Sequence, residues 1–424
     1  MPDILGAGMY KLLIREVLLN NKIQDILIEG DRISKIGENI QSENIEILNG
    51  RNKAALPAFY NMHTHSAMTI LRGYADDMAL MPWLQKKIWP VESKMTEEDI
   101  YWGTKLACLE MIKSGTVLAN DMYWHWHGEA RAAQEMGIRM INGMTIIDFL
   151  DESKLPQIQD DVERIFEESS KYDDLVQFSL APHAVYTVSK KTLIWSAEFA
   201  RKNDLKLHIH IAETEQEVLD CKKKHGLTPI EYLDKIGFLD SNVIAAHMIW
   251  LTENDFDIVK KHNLTVVHCP VSNMKLGSGI FPYNEYRQRD IPVCVATDGC
   301  SSNNNLDMFE EMKFAALLPK IANRNPELAP AEEIYKTTTF NPAQALGVKA
   351  GELKAGNLAD IILVDMKNLN LLPNHNLISN LVYSAHSDCV MTTICNGRIL
   401  MEDRRIHGEN EIIKKFKKTV KTLT

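Results

Sequence analysis

Between about residues 55 and 350, strand-like apolar runs alternate with helical patterns eight times, and this periodicity restricts the possible folds more than any other feature. The runs begin near Ala55, Thr116, Ile138, Val176, Lys206, Val243, Leu264 and Ile291. Helical spacing fills Glu97–Lys113, Lys190–Lys202 and Glu253–Lys261 between them. Eight strand–helix units predict an α/β fold, a closed parallel (β/α)8 barrel of the TIM type, whose chemistry sits at the C-terminal ends of the strands. The chain ends have a different texture. Residues 10–56 and 351–406 read as short β-runs divided by turn pairs such as Gly30-Asp31, Asn49-Gly50 and Asn396-Gly397. Neither end holds enough strands for a stable sheet, so the two are predicted to pair into one small β-sandwich. The expected organisation is a sandwich part over 1–55, a catalytic barrel over 56–350, a second sandwich part over 351–410, and an amphipathic helix over 411–424. That helix rests on Ile412, Ile413, Phe416 and Val420 at helical spacing among five lysines.

The polar residues that end the apolar runs carry the chemistry. His63 and His65 stand two apart at the end of the first run, so both side chains leave the strand on the same side. In Leu207-His208-Ile209-His210-Ile211 the aliphatic residues take the opposite face and leave both histidines pointing inward. His210, nearer the strand's C-terminal end, is the one expected to reach a metal at the mouth; His208 reads as a buried, hydrogen-bonded core group. Glu213 lies just past that strand, where its carboxylate can turn toward the same point. A glutamate leading a helix is also favoured by the helix dipole alone. His247, His268 and Asp298 each terminate a further apolar run. A single aspartate there would read as a turn cap, with Gly299 supplying backbone freedom. Five strand ends converging on imidazoles and carboxylates instead call for a partner such as a metal, because buried charge is costly without one. Three neutral imidazoles and one carboxylate suit one divalent ion, zinc first by ligand type, with iron or manganese also compatible. An ion with an open position lowers the pKa of its water toward neutrality. Asp298 is then placed to take a proton and Glu213 to carry one to a leaving group, which predicts metal-assisted hydrolysis of an electrophilic carbon.

Composition narrows the partners. With 47 Lys+Arg against 57 Asp+Glu the formal net charge is −10, which disfavours nucleic acid and anionic membranes as ligands. No apolar run approaches the roughly 18 residues of a membrane span. Lys11, Arg15 and Glu16 interrupt the one early stretch that might resemble a secretory signal. Seven scattered cysteines without a CxxC pair fit reduced thiols and a cytoplasmic location. No GxGxxG follows a strand, which disfavours a dinucleotide-dependent oxidoreductase. A non-catalytic barrel scaffold is disfavoured as well, because every ligand and acid–base candidate is present.

Several segments together resemble the amidohydrolase superfamily, and within it the methylthioadenosine/S-adenosylhomocysteine deaminase family. They are Pro57-Ala-Phe-Tyr-Asn-Met-His-Thr-His-Ser-Ala-Met, Leu71-Arg-Gly-Tyr-Ala-Asp-Asp, Trp83-Leu, Trp89-Pro-Val-Glu92, Ala181-Pro-His183, His208-Ile-His-Ile-Ala-Glu213, His268-Cys-Pro-Val-Ser-Asn-Met-Lys-Leu-Gly-Ser-Gly and Thr297-Asp-Gly-Cys-Ser-Ser-Asn. The resemblance implies one metal held by His63, His65, His210 and Asp298. It also implies that Glu213 shuttles a proton to the purine ring nitrogen and that His247 orients the attacking hydroxide. Glu92 would accept hydrogen bonds from ribose hydroxyls, His183 would contact substrate, Trp83 would cover the nucleoside, and a homodimer is expected. The implied reaction is hydrolytic deamination of an adenine nucleoside with release of ammonia. The alternative is attack by the same chemistry on another heterocycle, such as guanine, a pterin or an s-triazine. One departure stands out. Relatives acting on S-adenosylhomocysteine place an arginine after the third strand, whereas residues 140–149 contain no Arg or Lys and Met144 stands in its place. A carboxylate without its charge partner binds poorly, so methylthioadenosine or adenosine is expected above S-adenosylhomocysteine.

Overall fold

Two sheets organise the chain in a computed structural model that describes residues 10–423. The first nine residues of the expected 1–55 segment and Thr424 of the expected end-helix lie outside the described residues. The N-terminal end supplies β1 (Lys11–Leu19), β2 (Lys22–Glu29), β3 (Arg32–Gly37), β4 (Glu46–Asn49) and β5 (Lys53–Pro57). The barrel strands are β6 (Phe59–Thr64), β7 (Thr116–Tyr123), β8 (Arg139–Ile146), β9 (Val176–Pro182), β10 (Lys206–Ile211), β11 (Asn242–His247), β12 (Thr265–His268) and β13 (Val293–Val295). After the barrel, β14 (Ile361–Asp365), β15 (Val390–Cys395) and β16 (Arg398–Met401) return to the first sheet. Its order is β16–β15–β14–β5–β1–β2–β3, with β4 beside β1. The two chain ends meet where β5 pairs antiparallel with β14, from Lys53↔Asp365 to Pro57↔Ile361. Asn20 and Asn21, both left-handed, turn the β1–β2 hairpin, and Asn396-Gly397 turns β15 into β16.

The two chain ends pair into one end domain, built as a single continuous sheet folded over. A bulge between Ile14 and Val17 bends β1. At the far edge Arg32 bridges Leu358 ahead of β14. The fold encloses Leu12, Ile14, Ile26, Ile28, Ile361, Leu363 and Ile394 as a small core. One expectation needs correction: the run beginning near Ala55 is two strands rather than one. Ala58 donates its N–H to the carbonyl of Asp360 beside the end sheet, while Phe59 donates to Gly115 beside the barrel. Consecutive amides thus bond to residues flanking different sheets, at the step from β5 to β6.

Barrel strands follow one another in parallel from β6 to β13. Closure comes from the segment after β13. The Asp298 N–H donates to the His63 carbonyl at 3.0 Å, and the Asn61 side chain donates to the Thr297 hydroxyl at 2.7 Å. The seam therefore brings two expected metal ligands together. The helices Glu97–Lys113, Lys190–Lys202 and Glu253–Lys261 form with the bounds read from their periodicity. Thr96, Ser189 and Thr252 cap their N-termini. The C-terminal helix Glu409–Leu423 docks with Phe416, Val420 and Leu423 against a cluster that includes Ile70, Leu71, Trp83, Leu84 and Ile88. No helix of the described residues is long and apolar enough to cross a membrane.

Alternate side chains of β14 tie the end sheet to the barrel: Ile361 and Leu363 enter the small core, Ile362 and Val364 the large one. This explains an apolar run that is buried on both faces. Beside it Arg139 of β8 donates to Asp360 at 2.7 Å, both side chains being buried. Asp360 also accepts from the Tyr60 hydroxyl and from the Asn396 N–H at 2.8 Å. Asp360→Ala is expected to cost about 3–5 kcal/mol, because it strands a buried guanidinium; denaturant unfolding of the two proteins measures it.

Candidate active site

His63 and His65 leave β6 toward the barrel axis, as period-two geometry requires, and His210 leaves β10 toward the same point. Each ring is oriented through its Nδ1. That of His65 lies 2.6 Å from the Met122 carbonyl, that of His210 lies 2.8 Å from the His183 carbonyl, and that of His63 lies 2.8 Å from Nε2 of His208. A carbonyl only accepts, so in His65 and His210 the hydrogen sits on Nδ1 and Nε2 faces inward. Burial pushes His63 down to about 4 and His210 well below the ordinary imidazole range, which keeps both neutral. The Nε2 atoms of His65 and His210 nevertheless stand 3.3 Å apart. Nε2 of His63 is 3.2 Å and that of His65 3.3 Å from Oδ1 of Asp298. Fully buried, His63 Nε2 finds no hydrogen bond of good geometry. Lone pairs facing one another and a carboxylate repel unless a cation lies between them, so the donor set fits a divalent metal.

Asp298 is buried beside both imidazoles. Its Oδ2 accepts from Ser272 at 2.6 Å and Ser302 at 3.0 Å. His247 approaches from the other side of the cluster, and its ligand atom lies within 4.8 Å of those of His63 and His210. Asn273 accepts from its Nδ1 at 2.9 Å. Against the pull of burial, Glu213 and Asp298 raise this imidazole. Both His247 (φ 73°) and Asp298 (φ 62°) are left-handed, a strain common where side chains are aimed at chemistry. Gly299 serves a purpose other than the expected backbone freedom. A Cβ there would come within 2.7 Å of Met68 Sδ and 3.1 Å of His65 Cβ, so glycine is needed for close approach.

Glu213 lies 3.9 Å from His247 Nε2 and accepts from the Ser278 hydroxyl at 3.0 Å. Burial raises its carboxyl above the ordinary range. A cleft opens over these groups and is also lined by Trp83, Trp89, Glu92, Tyr123, His183 and Tyr186. Glu92 is raised by burial, and its Oε1 is buried without a partner. Trp83 is fixed by donation from its indole N–H to the Ala75 carbonyl at 2.9 Å. His183 meets Thr187 Oγ1 at 2.9 Å through Nδ1.

Every site residue expected from the sequence except His268 converges here. His268, counted among the converging strand ends, is instead stacked on Phe281 at 4.1 Å and lies 3.4 Å from Asn273. On the short β12 its ring turns into the core. Nor does Met144 line the cleft. It packs against the barrel core, while Thr145 and Ile147 of the same run face the cleft. The supporting Ser272, Asn273 and Ser278, and the lining Trp89 and Tyr186, had no roles assigned from the sequence. The first three lie in the segment after β12, whose polar composition was the available signal.

A model of the amidohydrolase family matches residues 54–400. A 5-methylthioadenosine/S-adenosylhomocysteine deaminase 1 of Archaeoglobus fulgidus is 46% identical over 404 residues, covering 94% of this chain and 95% of that protein. A 5'-deoxyadenosine deaminase of Methanosphaera stadtmanae is 44% identical over 405 residues, covering 94% and 95%. Among solved structures, an adenosine deaminase from Xanthomonas campestris with bound zinc superposes with a TM-score of 0.91 at 30% identity, over 98% of this chain and 99% of that one.

Proposed function

Given that this chain belongs to the amidohydrolase family, we propose that it deaminates adenine nucleosides by hydrolysis through His63, His65, His210, Asp298 and Glu213. The first four hold one divalent ion, zinc in first place on their ligand types. When bound, the ion supplies Lewis-acid activation of a water molecule near neutral pH. Asp298, braced by Ser272 and Ser302, accepts the proton that this water gives up. His247, braced by Asn273, orients the oxygen toward the amino-bearing carbon of the purine. Glu213 donates a proton to the adjacent ring nitrogen, which makes that carbon electrophilic. Asp298 passes its proton to the amino group while the added hydroxyl returns one to Glu213, so the C–N bond breaks, ammonia leaves and an inosine-type carbonyl product remains. Glu92 takes ribose hydroxyls as donors to its unpartnered Oε1, His183 touches the substrate, and Trp83 covers it. Seven unpaired, buried cysteines support a reducing, cytoplasmic setting.

The observation that carries this reading is a buried carboxyl whose burial favours holding a proton, Glu213, beside a cluster of ligand atoms within 4.8 Å of one another. The relatives' names do not favour guanine or a triazine as substrate. Among the described residues no Lys or Arg lines the cleft, which supports a neutral nucleoside over S-adenosylhomocysteine. Ultraviolet-monitored deamination of methylthioadenosine, 5'-deoxyadenosine, adenosine, S-adenosylhomocysteine, guanine and an aminotriazine tests both points. The neutral nucleosides are expected to lead by specificity constant. S-adenosylhomocysteine in first place would overturn the ranking, and turnover of guanine or the triazine alone would overturn the nucleoside pocket.

A further inference from the structure

Phe149 and Leu150 follow β8 with φ of 54° and 65°, a conformation that side chains bearing a Cβ disfavour. Both are apolar and exposed, Phe149 at 57%, so burial of their side chains does not offset that strain. The neighbouring Asp148 holds the turn. Wholly buried, it accepts from the Leu150 N–H at 2.8 Å, the Ser189 N–H at 2.9 Å and the Thr192 hydroxyl at 2.7 Å. Phe149 itself donates its N–H to the Thr187 carbonyl at 2.9 Å. The turn is thereby stapled to the loop that carries His183 and Tyr186 into the cleft. So anchored, the Phe149 ring meets Trp89 edge-to-face, with centroids 5.5 Å apart. Trp89 lines the cleft three residues before Glu92. Along this wall exposure rises from buried Glu92 through half-buried Trp89 to exposed Phe149.

We propose that Phe149 is a specificity-determining residue that, with Trp89, covers the 5′ end of the bound nucleoside and selects an uncharged apolar 5′ substituent. The inference rests on the nucleoside reading above. With the purine at Glu213 and the ribose at Glu92, the part of the substrate farthest from the reacting carbon reaches the outer wall. There it meets Trp89, backed edge-to-face by the Phe149 ring. The Lys154 ammonium lies 5.3 Å from the Phe149 ring centre; like Phe149 itself, it stands behind the cleft lining, which Trp89 completes on this side. A methylthio group gains contact against such a wall, whereas an amino-acid tail would lay its carboxylate on an aromatic surface.

The test compares specificity constants for methylthioadenosine, adenosine and S-adenosylhomocysteine in the wild type, Phe149→Ala, Phe149→Leu, Phe149→Arg and Lys154→Ala. Phe149→Ala is expected to lower the methylthioadenosine-to-adenosine ratio about 10-fold, mainly through KM, as loss of a small apolar contact does. Phe149→Leu should restore most of the ratio, and Phe149→Arg should raise S-adenosylhomocysteine relative to methylthioadenosine by about 10-fold. An unchanged ratio in Phe149→Ala, with all substrates falling together or not at all, overturns the proposal and leaves the nucleoside reading standing. So does a wild type that takes S-adenosylhomocysteine as well as methylthioadenosine and loses that ability in Lys154→Ala. Wild-type silence on every adenine nucleoside overturns the nucleoside reading, and Phe149's role with it.

Discussion

Glu213→Gln is expected to lower kcat by about 10²–10⁴-fold, the range for a positioned acid–base group, while leaving metal content at the wild-type level. The amide matches the carboxyl in shape and keeps an oxygen to accept from Ser278, now at 3.0 Å from Oε1. What it lacks is a proton that can be given and taken back. Burial raises the Glu213 carboxyl, so it keeps its proton to higher pH than an exposed glutamate does. The residue lies outside both groups of ligand atoms that cluster within 4.8 Å, and its carboxylate stands 3.9 Å from the His247 imidazole. Metal analysis beside single-turnover kinetics separates the cases. Loss of metal together with turnover would make Glu213 a structural ligand instead of a proton carrier.

His65→Ala is expected to remove stoichiometric metal and to lower turnover by at least about 10³-fold, since the ion is worth several kcal/mol of charge stabilisation. His65 is the informative ligand to remove. Its side chain is 11% exposed against 0% for His63, so truncation leaves the smaller packing defect. Its Nε2 stands 3.3 Å from both Asp298 and His210, and its absence opens the cluster on one side. Chelation of the wild type should give the same loss, reversible by zinc and, if the site tolerates them, by iron or manganese. Full activity in a metal-free His65→Ala protein would sink the metal-dependent mechanism. An unfolded variant, detected by circular dichroism, would move the test to chelation of the wild type, where folding is not at issue.

Much of this site was legible in the chain because strand geometry is local. His63 and His65 had to share a side, and His210 had to point inward beside Leu207, Ile209 and Ile211, whatever the rest of the fold did. The three periodic helices were legible for the same reason, since their caps and apolar spacing lie within one segment. Failures began where a residue's role depended on a distant partner. His268 ends its strand like the others, yet Phe281 offers its ring a stacking surface and it leaves the cluster. Ala55 to His65 read as one strand because nothing in the sequence says that the amides of Ala58 and Phe59 have acceptors flanking different sheets.

The sequence by itself determined the eight strand–helix units, the pairing of the chain ends, and the identities of the groups able to bind a metal and move a proton. These follow from periodicity and side-chain chemistry, which act over a few residues. Only the tertiary structure decided how close those groups come, which nitrogen of each imidazole is turned inward, and how burial sets their charge. It also decided that Glu92 and Trp89 line one side of the cleft, with Phe149 packed on Trp89. Distances across a barrel are set by closure of the seam between His63 and Asp298, 235 positions apart in the sequence by subtraction of their numbers, and no local pattern encodes such a contact.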